Sequence, residues 1–150
     1  DIAHAILVLL EQEKTLAEGA GAAPLAALLA GKIQLPGKKV VLGICGGNID
    51  VNVINRIIDR GLAASGRLCQ LYLRITDTPG RLADVLTTIG KLRGNVLEVH
   101  HNRAFSSGKQ FGTTEIELSM ETRGDGHIAQ IRDALSAQGV TIVDRSEPRG

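Results

Sequence analysis

The segment "LCQLYLRI" at residues 68–75 alternates without a break. Cys69, Leu71, Leu73 and Ile75 point one way, and Gln70, Tyr72 and Arg74 the other. Side chains on a strand alternate faces, so this reads as a strand with one buried side. "DTPGRL" then turns the chain, and the period changes from two to 3.6, with Leu82, Val85, Leu86 and Ile89 on one helical stripe. "NVLEVHHNR" is a second strand. "TTEIELSM" is a third, with Thr114, Ile116, Leu118 and Met120 inward. "HIAQIRDALSAQG" is a helix buried through Ile128, Ile131 and Leu135 and ended by Gly139, and "VTIV" is a last strand. The order βαββαβ restricts residues 68–145 to an antiparallel sheet with two helices on one face.

Residues 1–67 follow another logic. "DIAHAILVLLEQE" has helical spacing through Ile2, Ile6, Leu9 and Leu10, with Asp1 as a candidate N-cap and the helix expected over Ile2 to Ala17. A chain opening directly into so apolar a helix reads as preceded by further sequence. In "EGAGAAPLAALLAG", Gly19 and Gly21 are expected to loosen the chain and Pro24 to stand in the first turn of a second helix, buried on most sides. "LPGKK" is a turn, and Lys39 to Ile44 read as an apolar strand. A Gly-Gly turn at 46–47 leads into a helix striped by Val51, Ile54, Ile57 and Ile58, and "GLAASG" at 61–66 reads as a linker. One strand cannot satisfy its own backbone N–H and C=O groups. This half therefore reads as an incomplete α/β segment.

The chain of 150 residues carries a net charge of +1 and 2% aromatic residues, so it lacks both the positive field and the stacking surface of a nucleic-acid binder. No apolar run is long enough to span a bilayer, the opening lacks the basic start of a signal peptide, and Cys45 and Cys69 fit reduced thiols. Together these point to a cytoplasmic protein with no membrane partner. His100 and His101 are neighbours on a strand and point to opposite faces, so they read as a surface or interface pair and no metal site is expected. "FSSGKQFGTT" reads as a flexible hairpin loop, and the tail "DRSEPRG" as frayed.

With "DTPGRL" and "GNVLEV" in place, the βαββαβ half resembles the ACT domain, a ferredoxin-like regulatory module that binds amino acids between copies. "EGAGAAPLAALL" and "GICGGNID" resemble the end of the catalytic domain of the threonine ammonia-lyase family, fold-type II enzymes that use pyridoxal phosphate. The resemblance implies an α+β chain with 1–67 from the catalytic domain and 68–150 regulatory. It implies an intact enzyme of isoleucine biosynthesis that converts threonine to 2-oxobutanoate and ammonia under allosteric control. It places Cys45 at the pyridine nitrogen, with Gly46, Glu18 and Gly19 near the ring. A thiol is a weak acid and does not hold that nitrogen protonated as a carboxylate would.

In the same family the cofactor's lysine and its phosphate loop lie upstream. Lys14, Lys32, Lys38, Lys39, Lys91 and Lys109 match no such motif, so no catalytic residue is expected here and the chain is expected to be inactive by itself. The resemblance further implies an effector, isoleucine or valine, held by Asp77, Thr78, Gly80, Arg81 and Leu82, with Asn95, Val96 and Leu97 from a second copy in a homodimer or larger oligomer. Free N–H groups at a helix start suit the effector's carboxylate. A stand-alone amino-acid sensor, or part of a related serine dehydratase or racemase, remain the other readings. Pairing of residues 40–45 in a sheet would favour the sensor.

Overall fold

The computed structural model describes residues 1–102 and 112–143. Residues 103–111 and 144–150 lie outside the described residues, and most of the flexible-hairpin reading and the frayed-end reading fall there. The chain divides into two compact units, Asp1–Leu62 and Ala63–Gly150.

In the first unit, α1 (Ile2–Gln12) buries Ala5, Ile6 and Leu9 in one core cluster, and Leu7 is buried outside it. Asp1 occupies the N-cap position, but its side chain makes no capping bond. The helix stops well short of Ala17, at a polar run. Lys14 takes a left-handed φ of 55°, and the Thr15 N–H returns to the Leu9 carbonyl at 3.1 Å.

Helix α2 (Gly19–Leu29) begins earlier than its proline suggested: Gly19 and Gly21 are helical, and Pro24 lies inside the helix. Its ring forfeits one N–H bond to the turn before it. Only Gly21, Ala22 and Ala26 are buried on α2, because α1 and the chain near Ile44 and Ile49 cover just one side within this unit. The "LPGKK" turn forms as read, with Gly37 at φ 71° and the Lys38 N–H donating to the Leu35 carbonyl.

No strand forms over residues 39–44. Val41 is 94% exposed, and among the described residues of this unit no second strand offers it a ladder. The pairing that would have favoured a stand-alone sensor does not occur. Helix α3 (Val51–Ala64) absorbs most of the expected linker. Gly61 is helical, and a side chain there would collide with that of Leu7. Ile54, Ile57 and Ile58 are half-buried, whereas Val51 is exposed.

The second unit has the βαββαβ order: β1 (Leu68–Thr76), α4 (Arg81–Lys91), β2 (Asn95–Asn102), β3 (Thr113–Glu121), α5 (Asp125–Ala137) and β4 (Thr141–Ile142). Among the described residues the sheet has four strands in the order β2-β3-β1-β4, every pair antiparallel. The fold is a mixed α+β arrangement, with the strand order of a split βαβ. Leu71, Leu73 and Ile75 of β1 meet Ile116, Leu118 and Met120 of β3 on one face, and Val85 and Ile89 of α4 with Ile131 and Leu135 of α5 close over them. Burial of such alternating residues against two amphipathic helices supplies the main stabilisation.

Helix α5 differs from its sequence reading. His127, not Ile128, takes the buried place at its start. The His127 Nδ1 accepts the Arg123 N–H at 3.0 Å, and Nε2 lies 2.8 Å from the Leu92 carbonyl. The two contacts hold the ring between the turn before α5 and the end of α4. Gly139, at φ 75°, ends the helix, with the Val140 N–H returning to the Leu135 carbonyl.

Candidate functional site

Two groups of residues singled out in the sequence lie in different units. In the first unit the start of α2 meets the Gly-Gly turn. The Glu18 N–H donates to the Gly46 carbonyl at 3.0 Å. Gly46 has φ 85°, a left-handed torsion, and the Glu18 side chain fills the space a side chain at 46 would need. Gly21 gives way to the Cys45 carbonyl. Glu18, Gly46 and Cys45 are thus brought together, whereas Gly19 faces away: a methyl there would touch only Ile2 Cγ2, at 3.6 Å.

The Cys45 thiol is exposed and lies 3.9 Å from the Gly43 carbonyl oxygen, a weak contact. The acidic residue of "GGNID" has a plain structural role. Asp50 caps α3, its Oδ1 accepting the Asn52 N–H at 2.7 Å.

In the second unit the loop 77–80 leads into α4. Its N-cap is Gly80, at φ 86°, and no side chain caps the helix. The expectation that Asp77 or Thr78 would cap and Pro79 enter the first turn is corrected: Asp77, Thr78 and Pro79 all precede the N-cap and lie outside the helix. The Asp77 N–H donates to the Gly112 carbonyl at 2.9 Å, and the Arg81 N–H to the Thr78 carbonyl at 3.3 Å. The Gly80, Leu82 and Ala83 N–H groups find no backbone acceptor among the described residues. They are the open donors of a helix start, where an anion is favoured.

The Leu82 side chain packs on the core. The Arg81 guanidinium reaches the Gln138 carbonyl, and Gln138 Nε2 donates to Thr88 Oγ1 at 2.7 Å. Arg81 therefore ties α4 to the turn after α5.

Asn95, Val96 and Leu97 are not beside this loop. Thr76, at the end of β1, pairs with Thr113, whereas Asn95 pairs with Glu121. Those partners are the two ends of β3, separated by about 27 Å of strand. Asn95 Nδ2 donates to Glu121 Oε2 at 2.7 Å, Val96 packs on the core, and the register shifts between Val96 and Glu98, leaving Leu97 half exposed. His100 and His101 point to opposite faces: His100 Nε2 lies 3.5 Å from Glu98 Oε2, and His101 Nε2 3.1 Å from Thr114 Oγ1. Among the described residues no cluster of His, Cys, Asp and Glu could hold a metal, and no helix is long and apolar enough to cross a membrane.

The sequence relationships of the chain bear on both groups. No family model matches it. It is 46% identical over 142 residues to the L-threonine ammonia-lyase of Thermotoga maritima, covering 95% of this chain and 35% of that protein. The chain is a sequence relative of the L-threonine ammonia-lyases. The enzyme of that name from Geobacter sulfurreducens is 41% identical over the same share of both chains. A shorter stretch of 65 residues is 45% identical to a catabolic L-threonine dehydratase of Staphylococcus aureus. The chain spans about a third of the length of the two ammonia-lyases. Among solved structures, a prephenate dehydratase from Streptococcus mutans covers 49% of the chain and 39% of its own, at 14% identity and a TM-score of 0.40. A formyltetrahydrofolate deformylase from Pseudomonas putida covers 51% and 27%, at 21% identity and a TM-score of 0.36.

Sequence reasoning missed three residues: Gly21, Asp50 and His127. Asp50 preceding an apolar helix carried a capping signal. Gly21 and His127 carried none, since their roles depend on segments distant in sequence.

Proposed function

We propose that this chain is the regulatory C-terminal part of a pyridoxal-phosphate-dependent threonine ammonia-lyase: the end of its catalytic domain over 1–67 and an ACT-type effector domain over 68–150. The identity to two L-threonine ammonia-lyases across 95% of the chain supports this reading. In the intact enzyme the net reaction is threonine to 2-oxobutanoate and ammonia.

One observation carries the regulatory half. The two parts of the effector site stand at opposite ends of the sheet, and β2 is an edge strand. A long unpaired edge is a template for another strand. If β2 pairs antiparallel with β2 of a second copy, Asn95–Leu97 of the partner subunit arrive near Asn102 of this one. That is the end of the sheet where α4 begins, since Asn102 pairs with Glu115 and Thr76 with Thr113. The open N–H groups at Gly80, Leu82 and Ala83 then receive the effector's carboxylate. Carbonyls of the partner subunit's β2 accept its ammonium group. A branched aliphatic side chain such as that of isoleucine or valine rests against the exposed Leu97 of the partner subunit. The effector acts on catalysis by binding one arrangement of the copies better than another.

The residues of the first unit fit the pyridine edge of the cofactor. An exposed thiol stands on a turn whose backbone is fixed by Glu18 and Gly21. Bound pyridoxal phosphate supplies the electron sink for elimination. The thiol contributes a weak partner that leaves the ring nitrogen unprotonated.

Calorimetric titration of the chain with isoleucine, valine and threonine tests the effector reading. Saturable heat with isoleucine or valine is expected, and Gly80→Val is expected to remove it. A Cβ at Gly80 meets nothing within 4 Å, so the added bulk occupies the open space beside the donors. Retained affinity in Gly80→Val would move the site elsewhere.

A further inference from the structure

Gly21 is the third residue of α2, and its torsions are ordinary helical ones. A helix interior disfavours glycine by roughly 1 kcal/mol relative to alanine, so something outside the helix must favour its presence. That something is the Cys45–Gly46 turn. A methyl group at Gly21 would collide with the Cys45 carbonyl oxygen and stand 3.2 Å from its carbon and 3.3 Å from the Gly46 carbonyl oxygen. These are backbone atoms and cannot rotate aside.

From the other side, Glu18 holds the Gly46 carbonyl with its own N–H, and its side chain lies over the Gly46 α-carbon. The start of α2 thus grips the two peptides on either side of the Gly46 α-carbon. The space around Gly43, two residues before Cys45, is open by contrast: a methyl there meets nothing within 4 Å.

We infer that Gly21 is a positioning residue for Cys45. The missing side chain at 21 lets the Cys45–Gly46 peptide seat against α2, and that seating sets the direction of the Cys45 thiol. The further step, from thiol to cofactor ring, rests on the proposed function. The step from Gly21 to Cys45 does not.

The test uses this chain without cofactor, so its outcome is independent of the enzyme assignment. Alkylation of Cys45 by iodoacetamide is followed against pH by peptide mass spectrometry, with Cys69 as internal reference, and amide exchange is measured at Glu18 and in α1. In Gly21→Ala the Cys45 rate profile is expected to change by about threefold or more relative to Cys69. The Glu18 amide is expected to exchange about tenfold faster while α1 keeps its protection. Gly43→Ala is expected to change neither.

Unchanged Cys45 and Glu18 behaviour in Gly21→Ala overturns the inference. So does a loss of protection at Glu18 with no change at Cys45, which would mean that the grip does not reach the thiol. If Gly21→Ala does not fold, the unsubstituted chain decides. Nuclear Overhauser contacts between the Gly21 α-protons and the Gly46 amide are expected, and their absence overturns the inference.

Discussion

Gly94 lies against Ile89, with so little room that a methyl added to its α-carbon would stand 2.7 Å from Ile89 Cγ2. The left-handed torsion that ends α4 belongs instead to its neighbour, Arg93, at φ 68°. The glycine of "GNVLEV" therefore serves packing, and the residue before it carries the strain. Gly94→Ala is expected to lower stability by about 1–3 kcal/mol through overpacking, because Ile89 is fully buried. Arg93→Gly is expected to raise it by about 1 kcal/mol through relief of the torsion. Urea midpoints of the two variants check both signs.

Burial pushes the Cys69 thiol above the usual thiol range, and the charge of Arg132 opposes part of that shift. The folded state therefore holds the thiol proton more tightly than the unfolded chain. Its contribution is fully present below the unfolded thiol's pKa and is lost as pH rises through the folded one. Unfolding measured against pH should show this alkaline loss, and Cys69→Ala should diminish it.

The strands and helices of the second unit were legible because alternation and helical stripes each point at one buried face. Leu71, Leu73 and Ile75 are buried as their spacing required. The first unit was read less well. Val40 and Val41 have the composition of a strand but no ladder partner among the described residues, and composition cannot supply one. Pro24 was read by its usual place at a helix start, yet the helix begins five residues earlier, where Gly21 must meet Cys45. The grouping of Glu18 with Cys45 and Gly46 came from resemblance. Its geometric reason, a grip of α2 on the peptides flanking Gly46, came only from the fold.

Edge pairing through β2 predicts a concentration-dependent dimer in sedimentation velocity. Val99 is a partly exposed apolar residue on that edge. Val99→Lys is expected to shift the chain to monomer with its circular dichroism unchanged. An equally dimeric variant would place the interface elsewhere.

Turnover provides a separate check on the division of labour. Because no lysine here matches the family's cofactor-binding motif, incubation of the chain with pyridoxal phosphate and threonine should yield no 2-oxobutanoate above a protein-free control. Enzymatic product formation would contradict that reading.

The most direct test of the regulatory account is a residue-resolved titration of the chain with isoleucine or valine, followed by amide chemical shifts. The account predicts saturable shifts concentrated at Gly80, Leu82 and Ala83, whose N–H groups lack backbone acceptors among the described residues, and at Asn95–Leu97. Saturable shifts elsewhere with these amides unmoved, or no shifts at millimolar amino acid, would contradict it.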